Sequence, residues 1–200
     1  MDPVVPIAVA YALAVMWLTA AVQKAASFGG FVESLRAYEI LPRGLVRPCV
    51  PIIIGVEAGL GIALLGPIER ALPLAAAAGL LTLYAAAIGV NLARGRRHID
   101  CGCMGPGFKQ PLGAWMVWRN LALATAALAA GWLPVDRRAL HWVDAVSICA
   151  TVGVLVVMYA TLNRLIASAG ELTSAHAGKL AGANAGDLAR GHTGKLASLE

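Results

Sequence analysis

The sequence predicts an all-α integral membrane protein: a bundle of four to five transmembrane helices with a short amphipathic interfacial helix and a disordered C-terminal tail. Three observations predict it. Of the 200 residues, 59% are apolar and 14% are charged, against about 25% charged in a soluble protein, so the chain cannot cover its surface for water. The apolar residues gather in uninterrupted runs close to the roughly 20 residues that cross a bilayer as a helix. From residue 167 to residue 200 the texture changes to Ala, Gly, Ser, His and scattered charge. With the lipid bilayer as the surrounding partner, the net charge of +5 is a topology signal and not a nucleic-acid footprint. No cleavable signal peptide is evident, because Met1-Asp2 leads directly into a full-length apolar run with no basic segment before it.

Taken in order, residues 3–22 are free of charge and form the first predicted span, with Trp17 placed near its end and Lys24 terminating it. Ser27 to Leu41 is amphipathic: Phe28, Phe31, Val32, Leu35 and Tyr38 recur at helical spacing, with Glu33, Ser34, Arg36 and Glu39 opposite. This pattern suits a helix on the membrane surface or one packed on the bundle, and Pro42 stops it. The remaining predicted spans are 48–68, 71–93, 111–134 and 142–162, giving a membrane domain over residues 1–166. In the tail, Gly178-Lys-Leu-Ala, Gly186-Asp-Leu-Ala and Gly194-Lys-Leu-Ala recur at eight-residue intervals, a polar low-complexity pattern that predicts disorder.

The chemistry-bearing stretch is Arg94-Gly-Arg-Arg-His-Ile-Asp-Cys-Gly-Cys-Met-Gly-Pro-Gly107, the connection between the third and fourth apolar runs. Its glycines and Pro106 predict an exposed turn. Cys101 and Cys103 are separated by one glycine, and Arg94, Arg96, Arg97 and His98 lie just upstream. Cationic neighbours raise the thiolate fraction, and the thiolate is the nucleophile. A Cys-x-Cys disulfide closes a small strained ring, which is readily reduced and therefore oxidising. Two other readings stay open: a metal half-site with His98 and Asp100, which lacks the second cysteine pair of a closed zinc site, and two inert thiols. We favour redox chemistry, with no metal at the pair and quinone as the one candidate cofactor. Cys49, at the start of the second span, shares that face and is a candidate accessory thiol. Cys149 is expected to be buried packing.

Charges within the apolar runs are expensive and usually paired. Glu57 and Arg119 lie at similar distances into spans that enter from one face, which predicts a Glu57–Arg119 ion pair. Asn120 is expected to hydrogen-bond elsewhere in the bundle, and Lys24 to snorkel or to join the cluster. Register fixing and a proton or quinone site are the two roles open to such a pair.

These residues together resemble the methylamine-utilisation protein MauE family, small thiol-redox-type, DoxX-like membrane proteins. The resemblance is carried by Lys24, Phe28, Phe31, Tyr38-Glu-Ile-Leu-Pro42, Glu57-Ala-Gly-Leu-Gly61, Asn91-Leu-Ala-Arg-Gly-Arg96, Asp100-Cys-Gly-Cys-Met-Gly105 and Arg119-Asn120. Met104 departs from the aromatic residue common in the family. The resemblance implies a bacterial inner-membrane protein that supports maturation, by disulfide formation or isomerisation, of methylamine dehydrogenase, whose small subunit is disulfide-rich and exported. It further implies a periplasmic thioredoxin-like partner of the MauD type, and Cys101 and Cys103 as the redox pair. Lys24, Glu57 and Arg119 carry over as family positions without an assigned role.

Charge bias gives an orientation. One set of loops holds Lys24, Arg36, Arg43, Arg47, Arg94, Arg96, Arg97, Lys109 and Arg164, and the other only Arg70, Arg137 and Arg138. The positive-inside rule then places the N-terminus outside and the cysteine turn in the cytoplasm. Exported disulfides form on the opposite side. Either the pair takes electrons from a cytoplasmic thioredoxin for delivery outward, or the topology is inverted and the pair passes electrons to quinone. A membrane scaffold for an exported partner, with incidental cysteines, is the competing function; a transporter ranks last, since no internal repeat is evident.

Overall fold

The computed structural model describes residues 2–66, 71–96, 99, 112–134, 138–139, 141–161, 165 and 168, which are helical with no strand among them. The helices are α1 (Val4–Ala26), α2 (Phe28–Ala37), α3 (Arg43–Leu65), α4 (Ala71–Ala93), α5 (Ala114–Trp132) and α6 (Trp142–Thr161). Four of them, α1, α3, α4 and α6, are long and apolar enough to cross a membrane. The 19 residues of α5 are interrupted by Arg119 and Asn120. Met1–Ala160 is one compact unit and Thr161–Glu200 a second; apart from Ser168, the tail expected over 167–200 lies outside the described residues.

Local chemistry explains where the helices begin and end. The Asp2 carboxylate accepts the Val4 N–H at 2.9 Å, placing a negative charge at the positive end of α1, and prolines are tolerated in a first turn that has no carbonyl to reach. Beyond its expected end α1 continues through Lys24 to Ala26. The apolar side of α2 packs on α3: buried Val32 meets Val46 and Val50, flanked by half-buried Phe31 and Leu35. Glu39, after α2, has φ 47°, a left-handed conformation unusual for a residue with a Cβ. It is held there by the turn that follows α4, where Arg96 Nη2 donates to Glu39 Oε2 at 2.5 Å and Arg94 Nη1 donates to the Glu39 carbonyl at 3.5 Å. α3 starts at Arg43, ahead of the apolar run, and passes through Pro48 and Pro51. Each proline removes one backbone donor from the helix, a loss that membrane helices accommodate through neighbouring groups.

α1 is adjacent to α3 and α5, and α4 is also adjacent to α3 and α5. The four therefore form a ring in which α3 and α5 are diagonal to each other. The centre is filled by Leu13 and Trp17 of α1, Leu60 and Leu64 of α3, Leu74 and Leu81 of α4, and Ala124 and Ala127 of α5. Small residues set the spacing, as expected where lipid removes the hydrophobic drive for helix association. A Cβ at Gly61 would lie 2.7 Å from Leu18 Cγ and 3.3 Å from the Ala14 carbonyl, so α1 and α3 touch where no side chain fits. At one end of the ring Arg138 donates to Asp2 and Asp144, joining the starts of α1 and α6. At the other, the Glu39–Arg96 pair joins the α2–α3 turn to the end of α4.

Candidate functional site

The polar centre of the bundle is built by three helices. Lys24, in the last turn of α1, and Glu57 of α3 are 5% and 0% exposed, and Lys24 Nζ donates to Glu57 Oε1 in a buried ion pair. Tyr84 of α4 donates its hydroxyl to the same oxygen at 2.5 Å. The ammonium also lies 5.2 Å from the Phe31 ring centroid and 5.5 Å from that of Tyr84. Removing two charges from water costs several kcal/mol per ion as a rough guide, and only good geometry with added hydrogen bonds offsets it. Here a phenol donor and two aromatic faces supply that compensation. Trp17 packs on Tyr84 with ring centroids 5.9 Å apart.

The expected Glu57–Arg119 pair does not form; Glu57 pairs with Lys24. Depth along the chain was the wrong coordinate: α3 begins at Arg43, and α3 and α5 are diagonal in the ring. The Arg119 guanidinium lies 5.0 Å from the Trp115 ring and 5.4 Å from that of Tyr159. Its Nη2 donates to Asn120 Oδ1 at 3.3 Å, so the buried Asn120 is engaged by its own helix neighbour. Trp17, expected near an interface, is 2% exposed in the core because α1 continues beyond Lys24. Cys149, expected to be buried, is exposed on α6, and Cys49 is half-buried on α3.

Tyr84 and Asn91 are the functional-type residues that sequence reasoning passed over as site members. Each is a polar group inside the uncharged α4 run, which is the signal that was available. Asn91 is fully buried, and its Nδ2 donates to the Ala87 carbonyl at 3.0 Å.

Arg97, His98, Cys101 and Cys103 fall in the α4–α5 connection and lie outside the described residues. The flanks of that connection are fixed to the bundle. Gly95, with φ 75°, ends α4, and the Arg96 N–H returns to the Asn91 carbonyl at 3.0 Å, a left-handed helix terminus that suits glycine. On the far side Leu112 N–H donates to the Ile99 carbonyl at 3.2 Å, and Leu112 packs with Tyr38, Ile88 and Met116. The setting is electropositive: the Arg96 hydrogen bond first, then its charge with those of Arg43 and Arg94, holds the Glu39 carboxyl below the usual glutamate range.

Four helices long and apolar enough to cross a bilayer, three of which meet at a sealed ion pair, make this a multi-pass membrane protein. The particular family follows from its relatives. The family model for methylamine utilisation protein MauE matches residues 2–133. The MauE of Methylophilus methylotrophus is 33% identical over 166 residues, covering 82% of this chain and 87% of the relative. That of Methylorubrum extorquens is 34% identical over 132 residues (66% and 71%), and that of Paracoccus denitrificans 38% over 129 residues (64% and 69%). The chain belongs to the MauE family. No solved structure matches it.

Proposed function

We propose that this MauE-family chain supports methylamine utilisation from the bacterial inner membrane by thiol–disulfide exchange at Cys101 and Cys103, serving disulfide formation or isomerisation in methylamine dehydrogenase or a related exported protein. The observation that carries the reading is that the family match, residues 2–133, takes in a Cys-x-Cys pair set among Arg94, Arg96, Arg97 and His98. In the oxidising direction a partner thiolate attacks one sulfur of the Cys101–Cys103 disulfide, forming a mixed disulfide. The partner's second thiol then breaks it. The partner leaves as a disulfide and the pair as a dithiol, two electrons richer. Quinone, taking two electrons and two protons, would restore the pair. In the reducing direction a cytoplasmic thioredoxin supplies the electrons and an exported thioredoxin-like protein of the MauD type receives them.

The charge bias favours the reducing direction. Arg36, Arg43, Arg47 and Arg94 mark the end of the bundle from which the α4–α5 connection leaves, whereas Arg138 at the other end is bracketed by Asp2 and Asp144. This supports a cytoplasmic turn and an external N-terminus. A membrane-impermeant thiol reagent applied to spheroplasts tests the side. Labelling of Cys101 and Cys103 only after lysis fits electron delivery outward, and labelling of intact spheroplasts reverses the direction to oxidation with quinone as acceptor. Exchange itself is tested by trapping. With either cysteine changed to Ser, the remaining thiol should accumulate a reductant-sensitive adduct with a thioredoxin-like protein. If neither variant gives one, with both inserted normally, the scaffold function replaces this one.

A further inference from the structure

Two polar atoms in the centre of the ring have no partner among the described residues: Glu57 Oε2 and Trp17 Nε1. Glu57 is fully buried and Trp17 is 2% exposed. They are complementary, since a carboxylate oxygen accepts and an indole N–H donates. They also share a neighbour. The Tyr84 hydroxyl donates to the other Glu57 oxygen at 2.5 Å, and the Tyr84 ring packs on the Trp17 indole at 5.9 Å with a 59° tilt. Lys24 and Tyr84 both converge on Oε1, so the second oxygen of a carboxylate sealed in an apolar bundle lacks a donor. Such an atom calls for a bound group that supplies one.

We propose that the core between α1, α3 and α4 binds one hydroxyl group, which donates to Glu57 Oε2 and accepts from Trp17 Nε1. A hydroxyl performs both roles with a single oxygen. A cation would sit beside the Lys24 ammonium and offer the indole no acceptor. An anion would satisfy the indole but face the carboxylate, and a lipid chain would satisfy neither atom. Two sources carry the required chemistry: water, and the phenolic hydroxyl of a lipid-soluble quinol. Water, the smaller of the two, fits the near-complete burial of Glu57 and Trp17. The proposal is independent of thiol exchange and stands or falls apart from it.

The test uses the full chain, labelled with ¹⁵N-tryptophan, in phosphatidylethanolamine–phosphatidylglycerol nanodiscs. Trp17→Phe identifies the Trp17 indole resonance among those of the five tryptophans. The expected result in the unaltered protein is cross-relaxation from a long-lived water to the Trp17 indole proton. The Lys24→Met/Glu57→Leu double variant, which keeps the core neutral, should lose that signal several-fold. In a second arm a short-chain ubiquinol is titrated in; a saturable shift of the Trp17 indole, reduced in Glu57→Gln, identifies the quinol as the source. A Trp17 resonance that shows neither water contact nor a quinol shift in the folded, unaltered protein overturns the proposal. So does a water signal that persists undiminished in a folded double variant.

Discussion

Lys24, Glu57 and Tyr84 illustrate how a charge becomes tolerable inside a membrane bundle. The Glu57 carboxylate is completely buried, and a lone charge there would be untenable. Lys24→Met leaves it uncompensated, and breaking a buried pair from one side typically costs about 3–5 kcal/mol; thermal unfolding in detergent should show a correspondingly large fall in Tm. The Lys24→Met/Glu57→Leu protein should recover most of that loss, because an apolar replacement of both partners is often neutral. If the double variant is as unstable as the single, the pair has no coupling of the kind described. Tyr84→Phe removes one hydrogen bond to a charged group, a loss of about 1.5–3 kcal/mol, and its effect should shrink when Glu57 is already Leu. Sequence alone marks Glu57 as a charge that needs a partner and offers Lys24 as a candidate for its cluster. It favoured Arg119 because residue counting reports depth along a helix but not which helices are neighbours. The role of Tyr84 is not legible in the sequence, because a tyrosine in an apolar run carries no formal charge.

Among the elements, α1 and α3 depend on an approach that only glycine permits. A Cβ at Gly61 would fall 2.7 Å from Leu18 Cγ, and overpacking of this kind costs about 1–3 kcal/mol. Gly61→Ala should lower Tm, whereas Gly55→Ala, with open space around its position, should leave it nearly unchanged; equal effects would show that the close contact is not limiting. The α2–α3 turn depends instead on charge. Glu39 has its carboxyl pKa lowered in the folded protein by Arg96, so the contribution of the pair is present above the ordinary glutamate pKa. It is lost as pH falls through the lowered folded value. The Tm difference between the unaltered protein and Glu39→Gln should therefore be visible at neutral pH and low salt. It should fade on acidification and in high salt, since the groups are exposed; a gap that grows in acid would contradict the assignment. Composition made these helices legible through their apolar runs, but not their ends. Lys24 and Pro48 look like boundaries, yet α1 continues past Lys24 and α3 passes through Pro48, because a paired lysine and an interfacial proline can both be accommodated.

At the scale of the whole molecule, the helical membrane character was legible because water cannot solvate a chain that is 59% apolar. The ring order of α1, α3, α4 and α5 was not, since local periodicity says nothing about which apolar faces meet. The Cys101–Cys103 pair is legible in the sequence only as a candidate, through two thiols in a glycine-rich stretch beside several cations, whereas membership of the MauE family is shown by the relatives. The buried ion pair joins α1 to α3, and the proposed thiol exchange at Cys101 and Cys103 can be tested apart from it. The most direct measurement is methylamine-dependent growth of a host deprived of its own MauE and supplied with Cys101→Ser or Cys103→Ser, with membrane abundance measured in parallel. The account predicts loss of growth and of mature dehydrogenase small subunit in both variants at unchanged abundance; full growth in both, at the same abundance, would contradict it.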